Sequence, residues 1–166
     1  MNLARILRHL ATGRVALRRL FPDSALAAVE QAIESSEISH SGEIRFAVEP
    51  GLDLLPLLKD QSARERAIEV FSQLGIWDTE HNNGVLIYLL VADRDVEIVA
   101  DRGINVKVGS EKWELICHEM ESAFSQGKFE SGAIAGIRAV GAHLREYFPS
   151  EQREQQNELA DRPVIL

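Results

Sequence analysis

The chain is predicted to be an α/β domain, a three-layer α/β/α sandwich around a small mixed sheet of three or four strands. Residues 43–48 alternate polar and apolar side chains, and residues 85–91 form a nearly unbroken apolar run. These patterns are typical of a strand with one buried face and of a strand covered on both faces. A helical pattern joins the two strands, which predicts that they run parallel with a right-handed crossover. Helical patterns before and after them supply the two outer layers.

Composition limits the classes of function. The chain has 166 residues, of which 45% are hydrophobic, and this is enough for one domain with a real core. It contains 1 cysteine, so we expect no disulfide framework and a reducing cytoplasm. The net charge is -8, and an acidic protein repels phosphate backbones, so we expect no nucleic-acid partner.

The chain divides into three segments by composition. Residues 1–21 are predicted to form a basic amphipathic N-terminal helix, because leucines recur at helical spacing with arginines between them. Residues 22–149 form the α/β domain, and residues 150–166 are expected to be a polar, solvated tail. The arginines interrupt any signal-peptide pattern, so neither a signal peptide nor a membrane anchor is expected.

Two interpretations of residues 1–21 stay open. The helix packs on the domain or on a second copy, which would make a homodimer, or it lies on an anionic membrane surface. The second interpretation predicts a cytoplasmic protein peripheral to the inner membrane, with a membrane surface or a membrane protein as its partner.

The first half of the domain begins with a helix over residues 23–38, with an aspartate as its cap. The first strand follows at 43–48. Residues 52–59 are rich in leucine but contain Pro56, so a loop or a short turn is expected. The next helix spans 61–74 and starts with a serine–glutamate capping box.

The second half begins with the central strand at 85–91. A tight turn joins it to an antiparallel strand at 95–100, near the edge of the sheet. Residues 104–108 are predicted to add a short strand. Two helices with regular apolar stripes, at 111–126 and 129–148, close the domain.

One end of the predicted sheet collects oxygen-bearing side chains. The two parallel strands begin at this end and the antiparallel strand finishes there, so three loops meet at one edge. The candidate ligands are Glu43, Asp78, Glu80, Asn82, Asn83 and Asp101. Carboxylate and amide oxygens suit hard cations, and flexible loops suit Ca²⁺ better than Mg²⁺. The same residues are also ordinary turn and capping residues, so a structural role stays open. No glycine-rich nucleotide loop is present, so no organic cofactor is expected.

Several short motifs occur in a fixed order along the chain. They are Ser-Gly-Glu-Ile at 41–44, Ala-Ile-Glu-Val-Phe at 67–71, Gly-Ile-Trp at 75–77, Asn-Asn-Gly-Val-Leu-Ile at 82–87, Asp-Arg-Asp-Val-Glu-Ile at 93–98 and Gly-Lys-Phe-Glu-Ser-Gly at 127–132. This succession resembles the TPM-domain family, which includes thylakoid-lumen and photosystem-repair proteins and many bacterial proteins. The resemblance covers residues 22–149 and implies a mixed α/β/α sandwich.

The resemblance implies two functions. Some family members bind calcium, and a plant member has a reported acid phosphatase activity. We expect a non-enzymatic binding or assembly module that binds Ca²⁺ or Mg²⁺ and associates with a membrane or a membrane protein through residues 1–21. The alternative is a low-specificity, metal-dependent acid phosphatase, in which the metal polarises a phosphoryl oxygen and a carboxylate or His81 transfers the proton. The chain departs from the family pattern at residues 101–104 and at Cys117 and His118.

Overall fold

In the computed structural model, residues 2–150 and 157–166 are described. The described helices are α1 (Leu3–Ala11), α2 (Arg14–Leu20), α3 (Asp23–Glu37), α4 (Leu54–Leu58), α5 (Ala63–Gln73), α6 (Arg102–Val108), α7 (Ser110–Ser125) and α8 (Phe129–Tyr147). The described strands are β1 (Glu43–Glu49), β2 (Gly84–Leu90), β3 (Asp95–Ala100) and β4 (Val164–Ile165).

The strands form one mixed sheet in the order β3-β2-β1-β4. β1 and β2 run parallel, with Glu43 opposite Gly84, and β3 runs antiparallel to β2 along the edge. The predicted parallel pair, hairpin and α/β sandwich are therefore confirmed.

Helices cover both faces of the sheet, and each face has its own apolar cluster. α3, α7 and α8 pack on the face to which Phe46 and Ile87 point. α4 and α5 pack on the face to which Ala47 and Tyr88 point. β2 is buried along its full length because both of its faces are covered, and this explains its nearly unbroken apolar sequence.

The first 21 residues differ from the single predicted helix. α1 and α2 are separated at Thr12 and Gly13, and Gly13 has an extended backbone with φ -101° and ψ -178°. Ile6 of α1 joins the cluster under α4 and α5, whereas Leu17 of α2 joins the cluster under α3 and α8. One straight helix cannot reach both faces of a sheet, so the break lets this segment pack on each of them.

Two further segments form helices that the sequence pattern did not predict. α4 lies where a loop or a turn was expected, and Pro56 is its third residue, where a missing N–H leaves no hydrogen bond of the helix unmade. The predicted short strand at 104–108 is wrong, because α6 occupies that segment. The Asp101 carboxylate accepts a hydrogen bond from the backbone N–H of Arg102 at 2.6 Å, and this cap favours the helix over the alternating pattern.

Residues 157–166 differ from the predicted solvated tail. β4 pairs in parallel with β1 and completes the edge of the sheet. The backbone N–H of Leu166 then donates to the carbonyl of Val48 at 3.0 Å. These backbone hydrogen bonds cover the edge of β1, which would otherwise be open. The segment is therefore part of the domain. Residues 151–156 of the predicted tail lie outside the described residues.

Candidate functional site

The loops at one end of the sheet meet as the topology predicts. Both β1 and β2 begin at this end, and Ala100 at the end of β3 lies opposite Val85 near the start of β2. We call this end of the sheet the rim and define it as residues 41–43, 78–84 and 101–103. All six predicted cation ligands belong to the rim.

Asn83 is the most buried polar residue of the rim, with none of its surface exposed. Its side-chain Nδ2 donates to the carbonyl of Ser41 at 3.0 Å, and its backbone N–H donates to Oγ1 of Thr79 at 3.2 Å. The Ser41 carbonyl can only accept, so this bond identifies the other amide atom as the oxygen. That Oδ1 is buried and meets no hydrogen-bond donor among the described residues. A buried acceptor of this kind is destabilising unless a donor or a cation satisfies it.

Asp101 places a second buried oxygen at the rim. Its backbone N–H donates to the carbonyl of Gly84 at 2.9 Å, and its Oδ1 caps α6. Its Oδ2 is buried and has no hydrogen-bond donor within residues 2–150 or 157–166.

Gly103 lets the start of α6 approach the loop before β2. A Cβ atom at this position would lie 2.5 Å from the carbonyl oxygen of Asn82 and 2.7 Å from that of His81. The backbone N–H of Ile104 also donates to the Asn82 carbonyl at 3.2 Å. Two rim loops are therefore in direct backbone contact.

Glu43 faces the C-terminal segment. Its carboxylate accepts hydrogen bonds from the backbone N–H groups of Glu158 at 3.2 Å and Leu159 at 3.0 Å. Burial raises the pKa of Glu43, and these two hydrogen bonds oppose the shift. The Glu158 carboxylate in turn accepts from the backbone N–H of Glu80 at 3.0 Å. Glu43 therefore holds residues 158–159 beside the rim through two hydrogen bonds.

The remaining predicted ligands, Asp78, Glu80 and Asn82, are exposed. No three side chains among the described His, Cys, Asp and Glu residues are arranged to hold a metal ion. Asn83 and Asp101 are thus the predicted ligands that present unpaired oxygens, and the metal site stays a prediction.

Comparison with known proteins identifies the family. The model of the TPM domain matches residues 16–143, most of the chain. The chain belongs to the TPM-domain family. The resemblance drawn from the ordered motifs is therefore confirmed.

Two solved structures resemble this TPM domain. The NMR structure of BA42 from the psychrophilic bacterium Bizionia argentinensis is 32% identical, covers 86% of this chain and 93% of its own, and superposes with a TM-score of 0.72. The N-terminal domain of a protein from P. gingivalis is 20% identical, covers 74% of this chain and 76% of its own, and has a TM-score of 0.58, which shows the shared fold alone. A search of curated proteins gave no match.

A second candidate site of this TPM domain lies on α1, far along the sequence from the rim. Two arginines of α1 converge on Asp93, in the turn between β2 and β3. Arg5 donates to Oδ2 from Nε at 3.0 Å and from Nη2 at 2.8 Å, and Arg8 donates to Oδ1 at 2.5 Å. Although burial acts to raise it, these hydrogen bonds and that of His9 lower the pKa of Asp93 to about 2. The carboxylate therefore holds the inner side of α1 against the domain.

His9 is buried and adds a third contact to Asp93. We call Asp93 and its three partners Arg5, Arg8 and His9 the anchor of α1. The backbone N–H of Leu52 donates to its Nδ1 at 2.9 Å, so Nδ1 carries no proton and the tautomer has its proton on Nε2. Nε2 lies 2.9 Å from Oδ1 of Asp93. The position of α1 is thus fixed by a hydrogen bond at Nδ1 and by a close contact between Nε2 and the Asp93 carboxylate.

The outer side of α1 carries leucines that the domain does not cover. Leu3, Leu7 and Leu10 are spaced four and three residues apart, so they share one face of the helix. α4 packs beside α1 and exposes three more leucines. We call this group of six the docking surface: Leu3, Leu7, Leu10, Leu54, Leu55 and Leu58. They are between 47% and 71% exposed.

The sequence pattern indicated only the half of the docking surface that lies on α1. The leucines of α1 were visible as a helical stripe, but residues 54–58 were predicted to be a loop or a turn, so their leucines were not assigned to any face. The one sign of this surface in the sequence was the high leucine content of the segment, since four of the five residues of α4 are leucine. No helix within the described parts of the chain is long and apolar enough to span a bilayer.

Proposed function

We propose that this TPM domain is a non-enzymatic module that docks on an anionic membrane surface through α1 and α4. The observation that supports the proposal is the docking surface, six leucines on two adjacent helices that are 47% to 71% exposed. Single exposed leucines are common on soluble proteins, whereas a group of them rimmed by polar residues is typical of an interaction site.

The distribution of charge favours anionic lipid as the partner. Residues 1–20 contain five arginines and no acidic residue, although the whole chain has a net charge of -8. Arg5 and Arg8 pair with Asp93, so the exposed arginines Arg14, Arg18 and Arg19 on α2 supply the free positive charge of this segment within the described residues. An acidic membrane surface would attract this end of the molecule and repel the rest, which orients α1 toward the lipid.

The contributions are large enough for reversible binding. Each basic residue close to an anionic surface contributes about 1 kcal/mol, and moving the exposed half of a leucine into the interface contributes about another 1 kcal/mol. The anchor at Asp93 already holds α1 in place, so its leucines face outward before contact and little conformational entropy is lost on binding.

The test is co-sedimentation with vesicles of phosphatidylcholine, with and without phosphatidylserine. We expect the protein to pellet with the anionic vesicles and less so as salt rises. The double variant Leu7→Glu, Leu55→Glu removes one leucine from each helix of the docking surface. The control is Leu115→Glu, because Leu115 is 58% exposed on α7, outside the docking surface.

The proposal requires the double variant to stay in the supernatant while the control pellets like the unchanged protein. Equal loss in both variants, or no pelleting of the unchanged protein, would overturn it. Binding only to vesicles that also carry membrane proteins would overturn the lipid proposal in favour of a membrane-protein partner.

A divalent cation at the rim is a second candidate function. It is supported by the two buried oxygens without donors, Oδ1 of Asn83 and Oδ2 of Asp101. An amide oxygen and a carboxylate oxygen are both Ca²⁺ ligands, and backbone carbonyls and waters complete such sites in proteins. We propose that Ca²⁺, or Mg²⁺ more weakly, binds here with few acidic ligands.

NMR titration with CaCl₂ and MgCl₂ tests the cation proposal. We expect saturable shifts at the amides of residues 83 and 101–103. Asp101→Asn removes the charge but keeps the helix cap, since Asn caps helices as well as Asp. The matched control is Glu111→Gln on the exposed surface of α7. Loss of binding in both variants, or shifts spread over all acidic residues, would contradict a site at the rim.

The same samples test the acid phosphatase alternative. Hydrolysis of para-nitrophenyl phosphate that needs Ca²⁺ or Mg²⁺ and is lost in Asp101→Asn would favour the enzyme over the binding module. A homodimer, a cytoplasmic location and the lack of a nucleic-acid partner stay predictions from the sequence, and light scattering tests the first of them.

A further inference from the structure

A groove lies between α3 and α8, and no residue of the docking surface or of the rim lines it. Its volume is about 580 Å³, within the size range of pockets that hold small molecules. The groove exists because the facing residues are small: Ala28, Ala32 and Ser35 from α3 face Gly141 and Ala142 from α8. Its lining contains no acidic residue, although acidic residues outnumber basic ones in the chain by 26 to 18.

The floor of the groove is held by a chain of hydrogen bonds. Nδ1 of His40 lies 3.0 Å from the carbonyl of Gly42, which can only accept, so Nδ1 carries the proton. Nε2 then accepts from the hydroxyl of Ser36 at 3.0 Å. Burial first, and the nearby charge of Arg145 as well, lower the pKa of His40 to about 4, so the ring is neutral near pH 7. Gly141 packs directly on Ser36, which leaves no room for a side chain in the floor.

Two arginines supply the charge of the groove. Arg138 and Arg145 line it, both are exposed, and neither forms a salt bridge or a hydrogen bond within the described residues. They are seven residues apart on α8, so they share one side of the helix and their Cα atoms are about 10 Å apart along its axis. Since His40 is neutral, the guanidinium groups are the charged groups that face the groove from its lining.

We infer that this groove binds a small organic anion with two oxyanion groups, each paired with one arginine. Guanidinium groups recognise carboxylates and phosphates through paired N–H donors, and two of them on one side of a helix suit a ligand with charge at both ends. The hydroxyl of Ser35 lies in the same lining and adds a donor, and the alanines accommodate the carbon skeleton between the charged ends. The lining of this site shares no residue with the docking surface, and its floor is linked to the rim by the hydrogen bond from His40 to the carbonyl of Gly42.

The test is an NMR titration of the full chain with three probes: glutarate with two carboxylates, phosphoglycolate with one carboxylate and one phosphate, and acetate with a single charge. We expect saturable shifts at the amides of residues 35–39 and 138–145 with the first two probes and at least tenfold weaker binding of acetate. Tighter binding of phosphoglycolate than of glutarate would indicate a preference for the phosphate group with its additional negative charge.

Three variants separate a site from general attraction to positive charge. The double variant Arg138→Gln, Arg145→Gln should weaken the binding of glutarate and phosphoglycolate at least tenfold. Ala142→Leu keeps both arginines but fills the groove, and it should weaken binding to a similar extent. Arg102→Gln, an exposed arginine on α6, should have no effect. Full affinity in Ala142→Leu, equal loss in Arg102→Gln, or shifts that do not saturate would overturn the inference.

Discussion

Replacing Glu37 with glutamine tests whether a buried, protonated carboxyl limits the stability of this domain. Glu37 is the last residue of α3, and its Oε1 accepts a hydrogen bond from the backbone N–H of Ile44 at 2.8 Å. Burial is the main cause that raises the pKa of Glu37 to about 9, and the charges of Glu43 and Asp161 add to it, while the bond from Ile44 opposes it. Glutamine keeps the acceptor for Ile44 and cannot ionise.

The sign of the effect follows from the direction of the shift. Below pH 4.5 the carboxyl is protonated in both the folded and the unfolded chain, so it makes no pH-dependent contribution. As pH rises above 4.5 toward 9, the unfolded chain releases this proton and the folded chain keeps it, so stability falls. Between pH 4.5 and pH 7.5 this loss would reach about 4 kcal/mol, at about 1.4 kcal/mol per pH unit. Because Glu37 keeps some contact with solvent, we expect about half of that, roughly 2 kcal/mol.

Urea unfolding at pH 4.5 and pH 7.5 measures the effect. We expect Glu37→Gln to match the unchanged protein at pH 4.5 and to exceed its free energy of unfolding by about 2 kcal/mol at pH 7.5. Glu119→Gln, an exposed carboxyl on α7, serves as the control and should change neither value. The same difference at both pH values, or a loss of stability at pH 7.5, would refute the reasoning.

Three further predictions concern the anchor of α1, the rim and the buried thiol. Asp93→Asn should lower the free energy of unfolding by about 1–2 kcal/mol in urea at pH 7, and the stability that Asp93 provides should be lost as pH falls from about 4 toward 2; an unchanged unfolding midpoint would count against the anchor. Gly103→Ala should cost about 1–3 kcal/mol in thermal unfolding, because its Cβ would meet backbone oxygens at 2.5 Å and 2.7 Å; a stabilised variant would show that the rim loops can separate. Burial raises the pKa of Cys117 to about 12, so this thiol should react with Ellman's reagent only after unfolding in urea; fast labelling of the folded protein would contradict its burial.

Local patterns predicted most of the sheet. β1 and β2 were recognised because each pattern reflects which faces of the strand are covered, and the turn at residues 92–94 fixed the hairpin. The pattern failed at α6, where Ile104, Val106 and Val108 alternate like a strand. The cap at Asp101 favours the helix, and Val106 is 78% exposed on the outer side of that helix.

The candidate sites were harder to predict than the strands because they depend on contacts between distant parts of the chain. Topology correctly placed Asn83 and Asp101 at one end of the sheet. Topology could not show that Glu43 accepts hydrogen bonds from the backbone of residues 158–159. The strand that brings the C-terminal segment back to the sheet has only two residues, and this is too short to show an alternating pattern. Likewise, the leucines of α4 become part of a surface only because α1 packs beside them.

The most direct test of membrane docking is a fluorescent label at Leu7. Cys117 is buried, so the substitution Leu7→Cys adds the reactive thiol that takes the environment-sensitive dye NBD, and Leu115→Cys gives a matched label on α7. With phosphatidylserine vesicles, we predict a blue shift and a rise in NBD emission at residue 7 and no change at residue 115. No change at residue 7, or equal changes at both positions, would contradict docking through α1 and α4.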